Sequence, residues 1–186
     1  MFSTVIEKTM STEHAIIRTR ARLSIFTVLA LFTHAVAAVS VDYHAPKFLE
    51  GPVVANSFTG TTYAYRSREP GRPTALQITI VELPNDPSLS AAYSADHCIN
   101  LFLAEVARNK QNFFALPTGN ELNVGELALQ QVRWTRKDTN VGMTGVTSCT
   151  LDGNRYVSIN FQDGLKSARD TFPVIRDSLV HLGIQP

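Results

Sequence analysis

One stretch limits the folds open to this chain more than any other: residues 86–109, from Asp-Pro-Ser-Leu-Ser through Ala-Asp-His-Cys-Ile-Asn-Leu-Phe-Leu to Val-Ala-Arg-Asn. Asp86 suits a helix N-cap, and Pro87 suits the first helical position, where a missing N–H costs nothing. Ala95, Cys98, Ile99, Phe102, Leu103 and Val106 recur at helical spacing and make one apolar stripe. Such a helix is unstable alone in water and needs a sheet or another helix against that stripe. The chain must therefore supply a layer that covers it.

Strand patterns on both sides of the helix supply that layer. Residues 38–56 read as a lead-in with a short strand at Val53-Val54. In 57–68, Phe58, Thr61, Tyr63 and Tyr65 come close to strict alternation, with Gly60 placed for a bulge. Residues 74–83 alternate Leu76, Ile78 and Ile80 with Gln77, Thr79 and Val81, and the mildly apolar second face places this strand near the middle of a sheet. The turn Glu69-Pro-Gly-Arg-Pro73 joins the two into an antiparallel hairpin.

Beyond the helix, 109–126 is the longest irregular stretch, with a loop signature at Pro117-Thr-Gly-Asn120. Residues 127–136 form a strand with Leu127, Leu129, Gln131 and Arg133 on one face and Ala128, Gln130, Val132 and Trp134 on the other. Strands at 141–151 and 155–162 form the clearest hairpin, turning at Asp152-Gly153-Asn154. A last helix spans about 167–182, with Phe172, Ile175, Leu179 and Leu182 as its stripe and Gly183 as its C-cap.

The N-terminus carries an export pattern. Arg18, Arg20 and Arg22 precede the apolar run 23–32, and Ala35-Val36-Ala37 offers the small residues a signal peptidase reads. That run of ten residues is short against the roughly 20 a transmembrane helix needs. The expected organisation is a signal peptide at 1–37, cleaved after Ala37 or Ala38, and one globular domain at 38–186 with its core at about 50–184. Met10 is a second candidate start. No stable membrane anchor is expected in the mature chain, which belongs in the periplasm or outside the cell.

Residues 38–186 hold 13 basic and 14 acidic side chains. A near-neutral domain gives no electrostatic reason to expect nucleic acid or an anionic membrane as partner. The small basic cluster Arg133, Arg136 and Lys137 reads as a solvated strand end. Cys98 and Cys149 are the only cysteines, and in an exported chain an even count points to a disulfide between them. Two buried free thiols are the alternative.

No catalytic or ligand-binding motif stands out. His97 and Cys98 are helix neighbours about 100° apart and do not face each other, and a thiol on the buried stripe is inert. His44, His97 and His181 are scattered, without the i, i+4 pairing of a metal site. Asp163, Glu121 and Glu126 are an acid–base set only by chance of composition. Phosphate-binding glycine loops, the Gly-x-Ser-x-Gly elbow and His-Glu-x-x-His are missing from the sequence. No cofactor is expected. Tyr63, Tyr65 and Trp134 are candidate interface anchors, though a core role suits Tyr63 and Tyr65 better.

The order strand, strand, helix, three strands, helix with short hairpins points to an α+β antiparallel sheet flanked by two helices. With Leu76-Gln-Ile-Thr-Ile-Val-Glu-Leu-Pro84 before the long helix, Arg155-Tyr-Val-Ser-Ile-Asn-Phe161, and Phe172-Pro-Val-Ile-Arg176 opening the last helix, residues 50–184 resemble the Mog1/PsbP-like proteins. The resemblance implies an α/β/α sandwich and a role in binding other proteins or assisting assembly, with no shared active site. A cystatin- or NTF2-like curved sheet is the alternative fold. The expected function is a non-enzymatic exported module that binds another envelope protein, as an assembly or maintenance factor or an immunity-type inhibitor. The alternative is an enzyme or small-ligand binder with a site built from loops 109–126 and 162–168. An exposed apolar patch or an open edge strand favours the first, and converging polar groups in a pocket favour the second. The oligomeric state is open at this point.

Overall fold

The alternating segments assemble into one sheet. Its strands are β2 (Leu49–Asn56), β3 (Gly60–Ser67), β4 (Ala75–Glu82), β5 (Gln111–Val124), β6 (Leu127–Asp138), β7 (Val141–Asp152) and β8 (Arg155–Gly164). They lie in the order β2-β3-β4-β8-β7-β6-β5, and every neighbouring pair is antiparallel. The computed structural model describes residues 40–57, 60–85, 93–108, 111–138 and 141–185, within the unit Val39–Pro186. The expected signal peptide at 1–37 lies outside the described residues, as do Phe58, Asp86 and Pro87.

The two helices occupy opposite faces. Helix α1 (Ala95–Ala107) packs on β6, β7 and β8, burying Cys98 and Ile99 against Cys149 and Tyr156. Its described start is later than the sequence implies: Ser94 is the N-cap, its hydroxyl accepting the His97 amide at 3.1 Å. A disulfide joins Cys98 to Cys149, whose Cα atoms are 6.0 Å apart. Helix α2 (Ala168–Leu179) covers the other face, where Phe172, Ile175 and Leu179 meet Ile78, Ile159 and Phe161 in the larger cluster. Burial of each such side chain contributes about 1.5–3 kcal/mol. These layers are the α/β/α sandwich that the resemblance implies.

Several boundaries differ from the sequence reading. Most of the expected loop 109–126 is a strand: 111–124 form edge strand β5, hydrogen-bonded to β6. Two interruptions in its register explain the irregular sequence. One extra residue is accommodated between Gln111 and Phe114, where Asn112 takes φ 52°, and a wider bulge lies between Pro117 and Glu121, where Gly119 takes φ 69°. Asn and Gly tolerate these angles, and a proline is admissible on an edge strand. Likewise 162–164 complete β8, which leaves only a short turn at 165–167 before α2.

Gly183 does not cap the last helix, which ends at Leu179. It opens β9 (Gly183–Gln185), which pairs antiparallel with β1 (Ser40–Asp42). The short strand at Val53-Val54 extends to all of β2, and Gly60 begins β3 instead of bulging within it. Pro173 lies inside α2 on an exposed flank, not at the helix start. There the carbonyl four residues back is left for water.

The start of α2 is fixed by Asp163, which is fully buried. Its carboxylate accepts hydrogen bonds from the Gly164 amide at 2.7 Å and from the Ser167 and Thr171 hydroxyls at 2.8 Å each. Arg72 lies 3.7 Å away. Four partners around one carboxylate, at the positive end of the helix, account for its burial. Tyr65 and Trp134 are likewise core residues, 4 % and 2 % exposed, and Tyr63 is half-buried on the α2 face. Trp134 needs Gly145 opposite it, since a Cβ there would overlap the indole.

Candidate docking edge

Two strands end the sheet, β2 and β5, so the backbone groups on the outer side of each pair with no described strand. In β5, Phe114 and Leu116 are two residues apart and share a face, with exposures of 66 % and 71 %. Their partners on β6 are Thr135 and Arg133, and Gln111 faces Lys137. Directly paired residues point the same way, so Phe114, Leu116, Arg133 and Lys137 all stand on the α2 side of the sheet. Phe113 points the other way, its ring centroid 6.2 Å from Trp134.

The wall of this trough is one flank of α2. Arg169, Pro173, Arg176 and Val180 recur at i, i+4, i+7 and i+11 and are all exposed. Arg176 Nη2 donates to Gln131 Oε1 on β6 at 2.8 Å, which turns this flank toward β6 and β5. Gln131 in turn donates to Ser148 Oγ at 3.1 Å. The Arg133 guanidinium lies 6.0 Å from the Phe172 ring centroid, within cation–π range. Asp170, Val174 and Asp177 lie about 100° further round the helix, on its solvent side, and Ser178, on the far flank, shares a hydrogen bond of 2.7 Å with Tyr43. Arg133, Lys137, Arg169 and Arg176 form no ion pair with a described residue. The strand-end cluster therefore divides. Arg133 and Lys137 join the trough, whereas Arg136 sits over Trp134 at 5.2 Å and donates to the Val106 carbonyl at 3.2 Å.

The remaining sequence candidates are spread out. Asp163 is at the start of α2, Glu126 is in the β5–β6 turn beside the far end of that helix, and Glu121 projects from the α1 face. His44 approaches Asp42 at 3.9 Å, His97 lies over Tyr156 with centroids 6.2 Å apart, and His181 is exposed beyond α2. Among the described residues, no three His, Cys, Asp or Glu side chains gather as metal ligands, and no helix is long and apolar enough to cross a membrane. Burial pushes the Tyr43 phenol up to about 12 and raises those of Tyr65 and Tyr156, so all three stay protonated near neutral pH. The loop-built site loses its main loop to β5.

Sequence reasoning placed Arg133 and Lys137 together but missed Phe114 and Leu116 as surface residues. Their signal was the pair of exposed apolar residues at spacing two, just before a proline that only an edge strand tolerates.

No protein-family model matches the chain, and no curated protein matches it by sequence. Among solved structures, it resembles LpqN, described as involved in cell envelope biogenesis of Mycobacterium tuberculosis, with a TM-score of 0.50 and 13 % identity over 82 % of this chain and 88 % of that one. The solution structure of cyanobacterial PsbP from Synechocystis gives a TM-score of 0.49 and 10 % identity over 82 % of this chain and 96 % of that one. The chain, a mostly antiparallel sheet with two helices, thus has a fold similar to that of LpqN.

Proposed function

We propose that residues 1–37 are a cleaved export signal and that 38–186 act in the periplasm, without an active site, by docking on another envelope protein through the β5 edge. The observation that carries this reading is the exposed Phe114–Leu116 pair beside unpaired strand backbone. An edge of this kind adds a strand from a partner, whose main chain supplies affinity and whose alternate side chains supply specificity. The export pattern and the single disulfide fit an oxidising compartment. The envelope role of LpqN, whose fold is similar, fits an assembly or maintenance factor of the envelope.

Site-specific photo-crosslinking in cells tests the proposal. A crosslinker at Leu116 should trap one discrete envelope protein, one at Val53 should trap none, and Phe114→Lys should abolish the adduct. The periplasmic product should begin at Ala38 or Val39. An untrapped Leu116, in a chain shown to be exported and oxidised, would overturn the docking reading.

A further inference from the structure

We propose that the β5 edge takes an extended, acidic segment of its protein partner, with acidic side chains flanking a pair of apolar ones. This deepens the docking reading above and rests on it. Three features point the same way. The open half of β5, 111–117, measures about 23 Å at the usual rise per strand residue, room for a segment of seven residues. On an added strand, every second side chain faces the α2 side, so seven residues present four positions there. The middle two lie against Phe114 and Leu116 and call for apolar groups.

The outer two lie toward Lys137 at one end and, past the Leu116–Arg133 pair, toward Arg176 on Gln131 at the other. These cations lack carboxylate partners among the described residues, although 38–186 have slightly more acids than bases. The acids of α2, Asp170 and Asp177, are turned about 100° away from Arg169 and Arg176, toward the solvent side of the helix. A trough with four cations and, among the described residues, no facing acid attracts carboxylates and repels basic segments. The pattern acid, apolar, apolar, acid reads the same in both directions, so it serves a parallel or an antiparallel partner.

An anionic membrane would also meet cations and two apolar side chains. It leaves the outer N–H and C=O groups of β5 without strand partners, and pressing them into lipid is costly, whereas a peptide satisfies them. Peptide is therefore the favoured occupant.

Fluorescein-labelled Glu-Thr-Val-Thr-Val-Thr-Glu, its Gln-ended analogue and its Lys-ended analogue, all acetylated and amidated, would be titrated into oxidised residues 38–186 by anisotropy at 25 mM and 500 mM salt. The Glu peptide should bind at least about tenfold more tightly than the Lys peptide at low salt, with the difference shrinking at high salt as exposed charges are screened. Arg133→Glu with Arg176→Glu should invert the preference. So should Lys137→Glu with Arg169→Glu, whose side chains hold no hydrogen bond or ion pair with a described residue, which keeps the test valid if the first pair unfolds. Lys47→Glu should change nothing.

Equal binding of all three peptides, abolished by Phe114→Lys, overturns the acidic assignment and leaves the docking edge standing. Binding of phosphatidylglycerol vesicles through the same cations, with no peptide bound, overturns it in favour of a membrane surface. Failure of every peptide together with an untrapped Leu116 overturns the docking reading as well.

Discussion

The two edges of the sheet solve the same problem differently. Strand β2 has eight residues, is broken by a bulge between Glu50 and Val53, and contains Pro52, which has no N–H to offer. Glu50 is paired with Arg66 at 2.8 Å, and the exposed Val53 and Val54 are successive, so they point to opposite faces. Short length, a proline, a bulge and charge all discourage pairing with another chain. Strand β5 has 14 residues, and its irregularities divide it instead of closing it. Past the bulge, Leu122 and Val124 are buried; before it, Phe114 and Leu116 form an exposed row. The chain thus blunts one edge and leaves an apolar row on the other, the contrast on which the proposed docking rests.

The largest expected effect comes from breaking that contrast directly. Phe114→Lys with Leu116→Lys should weaken partner binding by at least about 30-fold, the loss of one hot-spot side chain, while Val53→Lys with Val54→Lys leaves it intact. Affinity for the trapped partner, measured by calorimetry, decides this; equal losses at both edges would remove the distinction. Next, Cys98→Ala with Cys149→Ala should destabilise the fold by about 3–4 kcal/mol in the chain-entropy model, read by urea unfolding. Because the bridge lies on the α1 face, affinity at β5 should not change while the variant is folded.

Asp163→Asn should cost about 1–2 kcal/mol by weakening the hydrogen bonds that start α2. It should also loosen the trough slightly, since α2 carries Arg169 and Arg176. The smallest effect concerns alkaline pH. The folded phenol of Tyr43 is raised to about 12 from the ordinary 10.0, so folding favours its neutral form. That contribution is fully present below pH 10 and is lost as pH climbs to 12. Tyr43→Phe should give a shallower fall in stability over this window, by melting temperature, with no change in docking.

Where periodicity was strong, the sequence showed the fold. The alternation of Leu76, Ile78 and Ile80 became β4, third in the sheet and buried on the α2 face; Asp152-Gly153 became the β7–β8 turn; and the stripe of Phe172, Ile175 and Leu179 became the seat of α2. The exposed β5 edge was harder to read. Pro117, Gly119 and Asn120 break the alternation of β5, and only pairing with β6, a contact distant in sequence, shows that the breaks are bulges and not a loop. Strand β1 escaped for a related reason: three residues carry no period, and their partner β9 lies at the other end of the chain. The charge segregation of α2 was present as spacing, but its meaning depends on which flank meets β6, which Arg176 and Gln131 settle.

The Cys98–Cys149 bridge also has a mechanical consequence. When the chain is pulled by its ends, tension follows the shortest covalent path. With the bridge closed, that path passes from Cys98 straight to Cys149 and bypasses the 50 residues between them, which include all of β5 and β6. Force would reach the β1–β9 pair first, where the two ends of the domain lie side by side. Strand β5 hangs off the load line, so tugging on the ends can strip β1 and β9 without unravelling the exposed β5 edge.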